Sequence, residues 1–262
     1  GVAGLIIKVM GAVFRIPLAN IIGDTGMGYY QTAYPVYVLL LTLSTSGVPV
    51  AISRMVAERN ALGNNYEAYR VFRISFALLF AIGISSSAVL FFGAEAIVTH
   101  LGNPGAKMAM MSIAPALLFV PMMASFRGFF QGLQNMNPTA ISQVVEQLFR
   151  VAAGLTLAVV LVDRGLEYAA AGASFGATAG SVMGLLTVVG LFLYHRRNIL
   201  EGVVRIKGER SESSSRILIQ ILAIAIPITI GAAIMPIMNT IDVAIVIKRL
   251  AASGFTPDAA NS

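Results

Sequence analysis

The chain has no cysteine and no tryptophan, and only two histidines, His100 and His195. Thiolate chemistry, disulfides and thiolate metal sites are therefore excluded. Charge is scarce too: 11% of the residues are Asp, Glu, Lys or Arg, against about 25% in a typical soluble domain. So few charges cannot cover a water-soluble globule of 262 residues. What is abundant is apolar, with 57% hydrophobic residues and a mean hydropathy of +0.81. The composition points to an integral membrane protein.

A membrane-crossing helix needs about 20 mostly apolar residues. Residues 25–53, 74–94, 108–126, 168–194 and 217–241 carry no charge and predict five spans. Two more are predicted at 1–22, which holds Lys8 and Arg15, and at 139–162, which holds Glu146 and Arg150. The expected total is seven helices. Basic residues orient them. One set of loops holds Arg54, Arg59, Arg70, Arg73, Arg127, Arg150, Arg196, Arg197, Arg205, Lys207, Arg210 and Arg216. The other holds only Lys107, Arg164, Lys248 and Arg249. Twelve against four places the first set in the cytoplasm, with the N-terminus inside.

The chain starts within an apolar run without an initiator Met and stops just after a loop, so it reads as a fragment cut at both ends. The expected organisation is a six-helix lobe over 1–194, a cytoplasmic linker over 195–215, and the first helix of a second lobe with its following loop over 216–262. The tract from Gly208 to Ser215 reads as the flexible part of that linker. An internal echo supports two lobes. Pro17-Leu-Ala-Asn20-Ile-Ile22 and Pro236-Ile-Met-Asn239-Thr-Ile241 share Pro-x-x-Asn-x-Ile, six helices apart. An even separation preserves orientation, as in parallel repeats.

Lys8 and Arg15 are seven residues apart and share a helix face. A cation at mid-bilayer costs about 2.5–3.5 kcal/mol on insertion scales. Such a pair faces the bundle interior or a wet cavity, where it would bind an anion; the alternative is that Lys8 snorkels to the interface. A second polar group straddles the turn between the fourth and fifth spans. Arg127, Gln131 and Asn135 form one helical stripe; Gln143, Gln147 and Arg150 form another, with Glu146 beside them. Glu146 and Arg150 have the spacing of a favourable i, i+4 pair. This stripe is either a wall of a transport cavity or a surface ion pair on a helical hairpin. Asp24 and Asp242 fall at outer span ends and read as interface residues.

Ser44-Thr-Ser-Gly47-Val-Pro49 interrupts the second span, and Pro115, Pro121, Pro227, Gly231 and Pro236 punctuate others. Gly172, Gly176, Gly180 and Gly184 recur every fourth residue, a pattern for close helix packing. No histidine cluster, nucleophile elbow, phosphate-binding loop or carboxylate pair is present. The reading is a transporter, not an enzyme, with no cofactor, catalytic residue, metal ligand or nucleic-acid partner.

Two stretches resemble the stage V sporulation protein B / polysaccharide biosynthesis family of the multidrug, oligosaccharidyl-lipid and polysaccharide exporter superfamily. One runs from Lys8 through Arg15, Asn20 and Asp24 to Gln31. The other runs from Arg127-Gly-Phe-Phe-Gln131-Gly through Asn137-Pro-Thr-Ala-Ile-Ser-Gln143-Val-Val-Glu146 to Arg150-Val151. Ser46-Gly-Val-Pro49 followed by Arg54 supports them. The resemblance implies an all-α fold of two six-helix lobes around a cavity, working by alternating access in the bacterial cytoplasmic membrane. It implies undecaprenyl-pyrophosphate-linked sugars, peptidoglycan precursors among them, as cargo, with membrane lipids and a coupling cation as further partners. In the lipid-precursor flippase branch, cavity-facing basic residues on the first helices are needed; Lys8 and Arg15 match most closely and Arg54 more loosely. That branch also has an acidic position early in the second span, and none lies between Tyr29 and Arg54 here. The expected substrate-binding set is Lys8, Arg15, Asn20, Gln31, Arg54, Arg127, Gln131, Gln143, Glu146 and Arg150. The runner-up is a cation-coupled multidrug exporter of the same fold, which would favour carboxylates in the cavity. A membrane-embedded transferase would need a carboxylate pair or metal motif on a loop.

Overall fold

A computed structural model describes the backbone over 2–201 and 212–252, and side chains over 9–196, except Ala12, and 212–245. These residues form eight α-helices and two 3-10 turns, with no strand among them. The helices are α1 (Val2–Thr45), α2 (Val48–Ala61), α3 (Asn65–Leu101), α4 (Lys107–Ile113), α5 (Ala116–Gly132), α6 (Asn137–Leu161), α7 (Leu166–Glu201) and α8 (Ser214–Ala252).

Among the described residues, six stretches are long and apolar enough to cross a bilayer. They are Val9–Ala61, Asn65–Leu101, Pro104–Gly132, Asn137–Arg164, Leu166–Arg196 and Ser214–Ile245. The first joins what the charge-free runs separate into two predicted spans. Within it α1 has 44 residues, about 66 Å of helix at 1.5 Å per residue, twice the hydrocarbon thickness. It is not one rod. Gly23 breaks it with φ 63° and ψ −172°, a backbone that a residue without Cβ adopts freely. Two arms result, 2–22 and 24–45.

Two of the expected breakers mark helix boundaries, while α5 runs through Pro121 and α8 through Pro227, Gly231 and Pro236. α1 ends at Thr45, and α2 restarts with Pro49 in its first turn, where a missing N–H costs nothing. Pro115 begins the helix that follows α4. α7 continues through Glu201 and α8 starts at Ser214, so helix reaches into both ends of the stretch expected as linker. The serines at its end are compatible with a helix start. The tract 208–211 lies outside the described residues.

Three apolar clusters hold the bundle. Phe72, Phe126, Phe129 and Phe192 interlock α3, α5 and α7, with ring centroids as close as 4.8 Å. Tyr37, Leu90, Met110, Ile113 and Leu117 join the second arm of α1 to α3, α4 and α5. Phe14, Leu18 and Ile22 pack on Tyr30, Ala158 and Ala173. Outside these clusters the surface stays apolar: Phe92, Val160, Leu193, Ile226 and Ile230 are all exposed. That pattern suits acyl chains.

The glycines on α7 act as expected. A Cβ at Gly176 would lie 2.5 Å from the Arg150 carbonyl oxygen, and one at Gly180 would lie 2.5 Å from the Glu146 carbonyl oxygen. Their smallness lets α6 and α7 touch along their backbones.

Candidate functional site

The kink at Gly23 folds the second arm of α1 back beside the first, bringing Tyr30 to Phe14, and α8 packs beside the second arm. Between them lies a cavity of about 420 Å³. Arg15 from the first arm, Tyr30, Gln31 and Tyr34 from the second, and Asn239 and Asp242 from α8 line it. Arg15, Gln31, Asn239 and Asp242 are all exposed to it. Arg15 and Asp242 form no ion pair or hydrogen bond with another described residue. The cavity thus offers a guanidinium donor, a carboxylate and two amides, all available to a guest. Its aromatic wall is a ladder. Tyr30 and Tyr34 stack at 5.5 Å, with Phe14 6.3 Å from Tyr30 and Tyr37 6.0 Å from Tyr34.

Behind the ladder sits a second polar centre. Arg127 on α5 donates to Glu146 on α6 at 3.0 Å, and Arg150 donates to the other Glu146 oxygen at 3.3 Å. Their side chains are 13%, 14% and 22% exposed, so the triad is largely dry. Arg127 Nε also donates to Ser142 Oγ at 2.9 Å, and Gln131 reaches Thr139 at 3.4 Å. Arg150 lies within electrostatic range of Tyr37, Tyr34 and Tyr30. Its Nε and the Tyr37 hydroxyl are buried without a hydrogen-bond partner.

The expected site residues therefore divide. Arg15 and Gln31 share the cavity. Arg127, Gln131, Glu146 and Arg150 form the largely buried centre and do not line the 420 Å³ cavity. Gln143 is half-buried on α6. Asn20 is exposed on α1 but does not line the cavity, and Arg54 is exposed on α2, away from it. The Lys8 side chain lies outside the described residues. Asp242, read as an interface residue, lines the cavity. Sequence reasoning also missed Asn239. The echo of Pro17 and Asn20 in Pro236 and Asn239 was the signal available for it. No group of three His, Asp or Glu converges among the described residues.

The family described as polysaccharide biosynthesis protein matches residues 1–255. The chain belongs to that family. Stage V sporulation protein B of Bacillus subtilis (strain 168) is 31% identical over 233 residues, covering 87% of this chain and 43% of that one. The lipid II flippase MurJ of the same organism is 29% identical over 248 residues, covering 90% of this chain and 45% of that protein. The chain thus spans less than half the length of these two relatives. A solved structure, the inward-facing conformation of a multidrug resistance MATE family transporter of the MOP superfamily, matches with a TM-score of 0.73 at 15% identity. It covers 93% of this chain and 54% of that one. The family member described here is accordingly all-helical, with a MATE-like transporter fold, and a multi-pass membrane protein.

Proposed function

We propose that the chain forms the first lobe, and the opening helix of the second, of an alternating-access flippase for undecaprenyl-pyrophosphate-linked oligosaccharide or peptidoglycan precursor. The two α1 arms count as two spans, making seven with the six-helix lobe over 1–194, the linker over 195–215 and the second lobe from 216. The N-terminus lies in the cytoplasm and the membrane is the bacterial cytoplasmic one. The protein carries its cargo and makes no bond in it.

One observation carries this reading: Arg15 lines the cavity and has no ion-pair or hydrogen-bond partner among the described residues. A diphosphate cannot cross hydrocarbon bare, and a free guanidinium offers it a forked, charge-assisted contact. Gln31 and Asn239 supply neutral donors, and the Tyr30–Tyr34 faces suit a sugar or prenyl edge. The relatives named above point the same way.

A second reading, the cation-coupled multidrug exporter, has Asp242 in its favour, since a cavity carboxylate attracts cations, and a coupling cation could use it in either case. The decisive experiment uses the full-length protein in liposomes, scoring movement of labelled lipid-linked precursor against efflux of a cationic dye. Precursor movement that Arg15→Ala abolishes supports the flippase. Dye efflux without precursor movement overturns it.

A further inference from the structure

Arg59 and Arg70 stand on either side of the turn between α2 and α3, away from the cavity. Arg59 is buried at the end of α2, 9% exposed. Its Nη2 donates to Glu212 Oε2 at 3.0 Å and to Gln220 Oε1 at 3.1 Å, while Nη1 donates to the Met55 carbonyl at 3.2 Å. Arg70 Nη1 donates to the Glu67 carboxylate at 2.8 Å and to the Glu212 backbone carbonyl at 2.7 Å; its Nη2 reaches Ser214 Oγ at 3.4 Å. Two guanidiniums from one hairpin thus grip both the side chain and the backbone where α8 begins. An exposed ion pair contributes about 0–1 kcal/mol, but this grip is half-buried, charge-assisted and multiply bonded.

Along α8 the next tie is a close contact. The Gly47 N–H donates to Thr229 Oγ1 at 3.2 Å, and the helix passes so close that a Cβ on Gly47 would strike the Ala225 carbonyl. Beyond it α8 runs on beside the second arm of α1, with Ala244 packed against the Tyr37 cluster, while Ile230, Ile234, Met235, Ile237 and Met238 form an exposed face. Asp242 and the cavity lie roughly 40 Å further along α8 than Ser214, at 1.5 Å per residue. The helix is held at its start, touched closely at Gly47 and lines the cavity at its far end.

We propose that Arg59 and Arg70 form a clasp on the start of α8 that seals the cavity from the clasp side and must part before the cavity opens there. The Gly47–Ala225 contact is the fulcrum: swinging the far half of α8 inward over Arg15 levers its start away from Arg59. The inference deepens the transport reading above and rests on it.

The test uses the full-length protein with any other cysteines replaced and Val243→Cys as a reporter in the cavity wall. A membrane-impermeant maleimide is applied to either face of sealed vesicles. With the clasp intact, labelling comes mainly from the face opposite the clasp. Arg59→Glu raises labelling from the clasp face by roughly tenfold, the usual size of such a coupling, and lowers it from the other. The exchange Arg59→Glu with Glu212→Arg restores the original pattern. Should Arg59→Glu prove unfolded by size-exclusion chromatography, Glu212→Gln removes the counter-charge while keeping an acceptor oxygen, and shifts labelling in the same direction. Unchanged labelling in a folded single variant, or an exchange that fails to restore it, overturns the clasp. If the precursor moves while labelling ignores Arg59, the clasp fails and the transport reading stands. If labelling shifts but no precursor moves, the clasp stands and the reading fails.

Discussion

Arg15 and Arg150 carry the same charge on the same kind of helix, yet their surroundings give them different work. Arg150 shares Glu146 with Arg127, and its charge is answered inside the protein. Arg15 has only the cavity. Replacing Arg15 by Ala should leave the fold intact while removing a charge-assisted contact of about 1.5–3 kcal/mol, a loss of roughly tenfold to hundredfold in precursor affinity. Arg15→Lys should keep the charge but lose the forked contact, and fall between. Precursor binding to the purified full-length protein measures both. Glu146 behaves in the opposite way. Glu146→Gln leaves two largely buried guanidiniums side by side without a counter-charge, and breaking a buried pair costs about 3–5 kcal/mol. Arg127→Ala still leaves Glu146 paired with Arg150, so it should cost less. Thermal unfolding in detergent should rank Glu146→Gln below Arg127→Ala, and both below Arg15→Ala.

At the scale of the helix, the glycines are the sharpest points of control. Gly47 meets α8 with no room for a methyl group, whereas a Cβ on Gly190 would have nothing within 4 Å. Gly47→Ala must push α8 off the α1–α2 junction or bend it, at the cost of about 1–3 kcal/mol typical of overpacking. Gly190→Ala should be silent or mildly stabilising. Unfolding midpoints of the two variants, compared in one detergent, check this. The same scale shows what could be read from the residues alone. Charge-free runs locate helices because lipid tolerates little else, and Pro49 and Pro115 mark restarts because proline lacks a donor. Arg127, Glu146 and Arg150 were legible as helical stripes, since i, i+4 spacing is local. Their burial was not, because it depends on Gly180 and Gly184 of α7 closing over them. The Gly23 kink falls in the gap between the predicted spans 1–22 and 25–53, so the break was legible, whereas the packing of the second arm back on the first was not. Arg54 matched a motif but projects from an exposed face of α2. Asp242 and Asn239 belong to the site only through the packing of α8 beside α1, a meeting that no local spacing encodes.

The molecule as a whole presents a cavity with opposite charges on opposite walls, Arg15 on α1 and Asp242 on α8. Each wall comes from a different lobe in the proposed architecture, so the charge that decides what is carried need not be the charge that couples carriage to an ion. Cargo identity then follows from which substitution hurts. For a diphosphate-bearing lipid, Arg15→Ala removes the attraction, while Asp242→Asn removes a repulsion at the same site. Precursor binding should fall with the first and hold or rise with the second, by a factor of up to about ten, because an aqueous cavity screens the carboxylate. For a cationic drug the order reverses. If Asp242 instead holds a coupling cation, Asp242→Asn leaves binding intact and abolishes movement against a gradient. Binding and liposome transport, measured side by side on these two variants with one anionic and one cationic cargo, separate all three cases. Equal losses for both cargoes in both variants would show that neither charge selects, and that shape alone governs the cavity.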